Sequence, residues 1–195
     1  MKNIALIEDF EEFKKEYSSL YDNHIATIQE LNGNNGRDCI VRFKNPNSME
    51  GSLMFTYIDG ILSISGDYGY AMFNWHNKKN HILANLGFDS FGYVSEKMVA
   101  SDKVTDFDSD LFHLDFDKWK KQLIEEGHDS DFIDSIDTPY VEDESDVINF
   151  FKNFTKIDDV CEYGCYQFGM YTTWQTYARW YGFQEALKQI EERVA

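Results

Sequence analysis

Asp59-Gly60 falls between Tyr57-Ile58 and Ile61-Leu62, and no other feature constrains this chain as strongly. A two-residue type I′ turn needs positive φ at both central positions. Asp-Gly supplies that, with a twist that suits the strands it joins. The flanking runs therefore pair as antiparallel strands. Ile61, Ser63 and Ser65 should face one side, and Leu62 and Ile64 the other. Downstream, Gly66-Asp67-Tyr68-Gly69 forms a second tight turn, into a strand over 70–75. Upstream, residues 39–43 and 53–58 are rich in β-formers and are separated by the turn cluster Asn45-Pro46-Asn47-Ser48. The expectation is an antiparallel meander of about four strands over about residues 37–76.

The remaining sequence carries helical spacing. Ile4, Ile7, Phe10, Phe13 and Tyr17, then Leu20, His24, Ile28 and Leu31, recur at intervals of three and four. This predicts an N-terminal helix over 4–31, with a break near Ser18-Ser19 and a stop at Asn32-Gly33. Short helices are expected at 79–87 and 90–100. Asp115 is the expected N-cap of a helix over 116–126, with Gly127 as its stop. Residues 129–136 suit one or two helical turns. Val147, Ile148, Phe151 and Phe154 mark an amphipathic helix over 144–154. A long terminal helix is expected over 171–194, weakened at Gly182, with Trp174, Tyr177, Tyr181, Ala186, Leu187 and Ile190 on one face. The fold class is thus α+β: an N-terminal helix, the meander, and an acidic helical C-terminal half over about 78–195. A length of 195 residues suits one domain spanning 1–195.

Charge narrows the partners. The chain carries 35 acidic residues against 18 Lys plus Arg, a formal net charge of −17. Nucleic-acid binding needs clustered cations, so direct contact with nucleic acid is not expected. Anionic membrane surfaces are repelled for the same reason. A basic protein surface is attracted. Aromatic residues make up 16% of the chain, too much for a disordered acidic tail, so most of it should fold. The N-terminal run MKNIALIEDFEEF is interrupted by acids, unlike a signal peptide or anchor. No run approaches the roughly 18 apolar residues of a spanning helix. Three cysteines, Cys39, Cys161 and Cys165, suit free thiols in a reducing compartment, hence the cytoplasm.

The charge is also uneven. Residues 102–162 hold 19 acids and 6 bases, a net of −13. Acids interleaved with Phe107, Phe112, Phe116, Trp119, Phe132, Phe150 and Phe151 suggest helices with one wet, negative face. Asp106, Asp108, Asp110, Asp131, Asp134, Glu142, Asp143 and Glu144 are the expected contact residues for a partner. Carboxylates on rigid helices can mimic the phosphates of a nucleic-acid backbone.

Other motifs are weaker. Asp106-Phe107-Asp108-Ser109-Asp110 opens like a calcium loop, but Leu111 stands where the turn wants Gly, and Asp117 where it wants Glu. A helix-capping role fits better. Cys161 and Cys165 could hold half of a zinc site, but no second pair is suitably spaced. Asp67 at a turn tip, with His76 or His81, is the starting point for an acid/base reading. No cofactor motif and no metal motif is complete, and no catalytic residue is assigned.

The stretch from the Asp59-Gly60 hairpin through Ile64-Ser-Gly-Asp-Tyr-Gly69 to Phe73, followed by an acidic, aromatic-rich helical half, resembles small phage and prophage accessory proteins. That class includes anti-CRISPR proteins and other inhibitors of host defence. The resemblance implies a phage gene product acting in the host cell cytoplasm, and it carries over no catalytic residues. The leading expectation is a non-catalytic inhibitor whose acidic helices enter a basic groove on a nucleic-acid-binding protein, such as a CRISPR effector, with exposed aromatics as anchors. Two alternatives stand beside it. One is a metal-dependent hydrolase or nuclease-like enzyme using clustered carboxylates. The other is a homo-oligomeric assembly protein, dimeric through the aromatic terminal helix.

Overall fold

The computed structural model describes residues 3–7, 9–31, 38–48, 50–74, 90–153 and 167–194. The helix expected at 79–87 lies outside them, as do His76, His81, Cys161, Cys165, Tyr163 and Tyr166. The chain divides into two compact units. One joins Ile7–Val104 with Thr173–Ala195, and the other joins Asn3–Leu6 with Thr105–Thr172.

The first unit is a six-stranded antiparallel sheet in the order β1-β2-β3-β4-β5-β6, with helices on one face. The strands are β1 (Ile25–Glu30), β2 (Cys39–Lys44), β3 (Leu53–Ile58), β4 (Ile61–Gly66), β5 (Gly69–Asn74) and β6 (Met98–Ser101). The four expected strands are β2 to β5, and β1 and β6 flank them. Asp59 has φ 51° and Gly60 φ 83°, the type I′ pair that the dipeptide requires. Gly66 and Gly69 also adopt positive φ at the second turn. Alternation follows the expectation: Leu62 and Ile64 are buried, and Ile61 is exposed.

The N-terminal expectation needs correction. Helix α1 covers only Phe10–Glu16, capped by Asp9, whose side chain accepts the Glu12 N–H. Ile4–Leu6 is a 3-10 turn, residues 17–23 are turns, and Ile25–Glu30 is strand β1. Leu20, His24, Ile28 and Leu31 have helical spacing, but Ile25, Thr27 and Ile28 are β-branched. Pairing with β2 rewards them where an isolated helix would not. Likewise the 90–100 segment is a helix only over α2 (Phe91–Glu96), and the chain then enters β6.

The terminal helix α6 (Trp174–Val194) packs on the buried face of the sheet. The Phe183 ring meets Phe55 edge-on at 5.1 Å, and Trp180 meets Phe73 at 6.1 Å. Residues 176–183 of this helix are buried on every side. The many aromatics are therefore core, and Tyr177, Trp180, Tyr181 and Phe183 are not exposed anchors. Gly182 does not weaken the helix. A Cβ there would sit 2.4 Å from Leu53 Cδ1, so the missing side chain is what lets helix and sheet approach. The last turns of α6 also close the sheet edge. Gln189 Oε1 accepts the Ala26 N–H at 2.9 Å, and Arg193 Nη1 donates to the Ala26 carbonyl at 2.7 Å. These bonds satisfy groups that would otherwise invite a further strand.

The second unit holds helices α3 (Ser109–Glu125), α4 (Ser130–Asp134) and α5 (Glu144–Asn153), with a two-stranded ribbon of β7 (Thr105–Phe107) and β8 (Met170–Thr172). Its core gathers Phe112, Phe116, Trp119 and Leu123 from α3, Ile133 and Ile136, and Val147 and Phe151 from α5. Positions 112, 116, 119 and 123 recur at four, three and four, which is one face of α3, and Ile124 lies off it and is exposed. The acidic half is thus not wholly helical, because β6, β7 and β8 lie within 78–195. Among the described residues no helix is long and apolar enough to cross a membrane.

Candidate functional site

Each helix of the second unit starts at an aspartate. Asp108 caps α3, its side chain accepting the Leu111 N–H at 2.8 Å. Asp115, expected as that cap, lies inside α3 and instead accepts the Gly169 N–H at 3.0 Å. Asp129 caps α4 through the Phe132 N–H. Asp143 precedes α5 and accepts from the N–H groups of Ser145 and Asp146 and from the Ser145 hydroxyl. The Ser145 hydroxyl, and then those N–H groups, hold the Asp143 carboxyl below its ordinary pKa. Orphan N–H groups and the helix dipole favour a carboxylate at each of these places.

The eight expected contact residues therefore split. Asp108 and Asp143 are helix starters. Asp106 is half-buried, its side chain accepting the Phe107 N–H. Glu142 accepts the Tyr140 hydroxyl at 2.7 Å. Asp110, Asp131, Asp134 and Glu144 are exposed, and among the described residues no hydrogen bond or ion pair reaches their carboxylates. Asp110, Asp131 and Glu144 stand in the first turns of α3, α4 and α5. All eight belong to this one compact unit. The Lys120 ammonium lies at the end of α4, donating to the Ile136 carbonyl at 2.9 Å and to the Asp134 backbone carbonyl at 3.5 Å, so it stands beside Asp134 without bonding its carboxylate.

Two surface features accompany the acids. Tyr140 is 82% exposed and stands two residues from Glu142. An open cleft of about 430 Å³ runs along the β7–β8 ribbon, lined by Thr105, Glu144, Gln167, Met170, Tyr171 and Thr172. A carboxylate beside threonine and tyrosine hydroxyls offers acceptors that suit an ammonium or guanidinium group. No local motif marks this cleft, because residues 105 and 172 meet only through ribbon pairing.

The acid/base and metal readings find different geometry. Asp67 Oδ2 accepts the Ser52 N–H at 3.0 Å, which ties the second turn to the start of β3. His24 Nε2 meets the neighbouring Gly51 carbonyl at 3.1 Å. Both side chains thus brace one loop. Among the described residues no group of three or more His, Cys, Asp or Glu is placed to hold a metal ion. Cys39 is buried, and burial, with Asp38 and Glu30 nearby, pushes its thiol up to about 11, the opposite of a nucleophile's need.

His24 carries a pH dependence. It is buried against Tyr21 and Phe43, and among the described residues its Nδ1 has no partner. Burial lowers its pKa, against the smaller opposing effect of carbonyl hydrogen bonds from Gly51 and Glu50. The unfolded chain then takes up a proton near pH 6.5 before the folded chain does. The stability this gives is complete above that pH and is lost as pH falls below it toward the folded pKa. Thermal midpoints measured between pH 7 and pH 5 should fall more steeply for the wild type than for His24→Gln. Equal slopes would show that His24 is not responsible.

No protein-family model matches the chain, and neither a curated protein nor a solved structure matches it.

Proposed function

We propose that this chain is a phage-type, anti-CRISPR-like inhibitor that blocks a host defence nuclease by binding, without catalysis of its own. The acidic helical unit occupies the basic groove in which the nuclease holds nucleic acid. One observation carries the reading: four exposed carboxylates, Asp110, Asp131, Asp134 and Glu144, have no partner among the described residues, within a stretch of net charge −13. Helix capping explains Asp108 and Asp143. The dipoles of α3, α4 and α5 also favour Asp110, Asp131 and Glu144 in their first turns, yet among the described residues no cation pairs with any of the four. A groove built for phosphates supplies the missing countercharge. The cleft beside Glu144 accepts one basic side chain of the partner. Tyr140 takes the anchoring role assigned to exposed aromatics, since tyrosine combines a large apolar ring with a polar tip. The chain works in the host cytoplasm, where its target resides.

The test is capture from bacterial lysate on the immobilised chain, at low and high salt, with mass-spectrometric identification. A nucleic-acid-binding nuclease should be retained at low salt and released at high salt. It should not be retained by a chain carrying Asp110→Lys, Asp131→Lys, Asp134→Lys and Glu144→Lys. Equal retention of such a nuclease by both chains would refute the mechanism.

A further inference from the structure

The six strands of the sheet contain one acid, Glu30, in a chain that has 35. Glu30 pairs with buried Cys39, so it alternates toward the helix-covered side. The opposite face of the sheet therefore carries no carboxylate. Register sets Arg42, Met54, Ser65 and Tyr70 in one row across β2 to β5, and Thr56, Ser63, Met72 and Ala100 in the next, across β3 to β6. Ile58 and Ile61 extend the apolar area at the hairpin end. Met54, Ile58, Ile61, Tyr70 and Met72 are 39–55% exposed. Thr56, Ser63 and Ser65 lie among them, and the cations Arg42 and Lys44 stand to one side on β2.

We infer that this face is a self-association surface, on which a second copy of the chain packs sheet against sheet. The inference does not rest on the inhibitor reading. The charge distribution argues for the second copy. Two chains of net charge −17 repel each other wherever carboxylates meet, and here two copies come together without apposing any. Exposed Met54, Ile58, Ile61, Tyr70 and Met72 set around Thr56, Ser63 and Ser65 give the mixed apolar and uncharged polar composition of a non-obligate interface. Strands about 4.8 Å apart with about 3.3 Å per residue give a face of roughly 25 by 20 Å. Flat, that is about 500 Å² per copy, the size of a weak contact that dissociates on dilution rather than of a standard interface of about 800 Å² per partner. Aligned sheets pack about 10 Å apart, interdigitating such side chains. At the β1 edge, Gln189 and Arg193 take the Ala26 N–H and carbonyl, which disfavours edge-to-edge pairing there. The dimer considered for the aromatic terminal helix thus moves to the sheet, because that helix is core.

The experiment is sedimentation equilibrium of the full chain over a range of concentrations at two salt levels. The weight-average mass should approach twice the 22.9 kDa of one chain and fall on dilution. Added salt should strengthen the association by screening like charges, opposite to its effect on a basic partner. Met72→Glu and Tyr70→Glu, each checked for native circular dichroism, should weaken it at least tenfold. Leu114→Glu, an exposed position on α3, should leave it unchanged. A mass of 22.9 kDa at every concentration and both salts overturns the inference and leaves the face to a foreign partner. So does undiminished association of the folded Tyr70→Glu chain, which would place the contact elsewhere.

Discussion

Gly66→Ala should destabilise the sheet unit by about 4 kcal/mol or more, enough to leave a marginal domain largely unfolded. Gly66 sits at φ 148°, where side chains are strained. A Cβ there would also lie 2.1 Å from the Ser52 carbonyl oxygen and 3.0 Å from the Leu53 Cα, both backbone atoms. The Ser52 carbonyl cannot retreat freely, because it accepts the Asp67 N–H at 3.0 Å, while the Ser52 N–H donates to Asp67. Gly127→Ala is the comparison. That glycine, at φ 93°, ends α3 with open space around it, so only the strain of about 1 kcal/mol applies. Urea unfolding of the two variants should separate them by several kcal/mol. Similar midpoints would mean that the turn adjusts and the close approach is not required.

Asp102→Ala should cost about 3–5 kcal/mol, because it leaves a buried cation without its counterion. Arg179 is 1% exposed. Its guanidinium pairs with Asp102 and donates to the Tyr68 carbonyl at 3.0 Å and the Thr176 hydroxyl at 3.0 Å. Asp102 in turn accepts the Tyr70 N–H at 3.1 Å. The pair thus joins the Asp67-Tyr68-Gly69 turn, the end of β6 and helix α6. Gly69 is tied to it as well, since a Cβ there would overlap the Asp102 carboxylate. Removing the charge with its partner is less costly than stranding it. The double variant Asp102→Ala, Arg179→Met should therefore be more stable than Asp102→Ala alone. If the single variant shifts stability by less than about 1 kcal/mol, or the double variant is the worse of the two, the pair does not anchor the turn in this way.

Arg179 and Asp102 show what the sequence conceals. They are 77 residues apart, and nothing local marks either of them as a partner. By contrast, the Asp59-Gly60 hairpin and the Gly66–Gly69 turn were legible, because turn chemistry depends on the residues at the turn itself. Helices α3 and α5 were legible from apolar spacing, although Asp108 caps α3 seven residues ahead of the expected Asp115, and the helical turns expected over 129–136 are α4. Strand β1 was misread because its i, i+4 spacing also fits a helix, and only pairing with β2 decides between them. The acids were visible as a charge asymmetry. Their division into helix caps and unpartnered carboxylates was not, since it depends on where each helix begins. The acid-free sheet face needed the register of six strands before it could be seen at all.

In the proposed mechanism a negative helical surface competes with nucleic acid for a basic groove. The most direct measurement is nuclease cleavage of DNA, using the captured enzyme, titrated with wild-type chain and with the variant carrying lysine at positions 110, 131, 134 and 144. Wild type should inhibit at low salt and lose potency as salt rises, and the variant should need at least tenfold more protein. Tyr140→Ala should weaken inhibition chiefly through faster release. Inhibition by the lysine variant equal to that of wild type, at every salt concentration, would contradict the account.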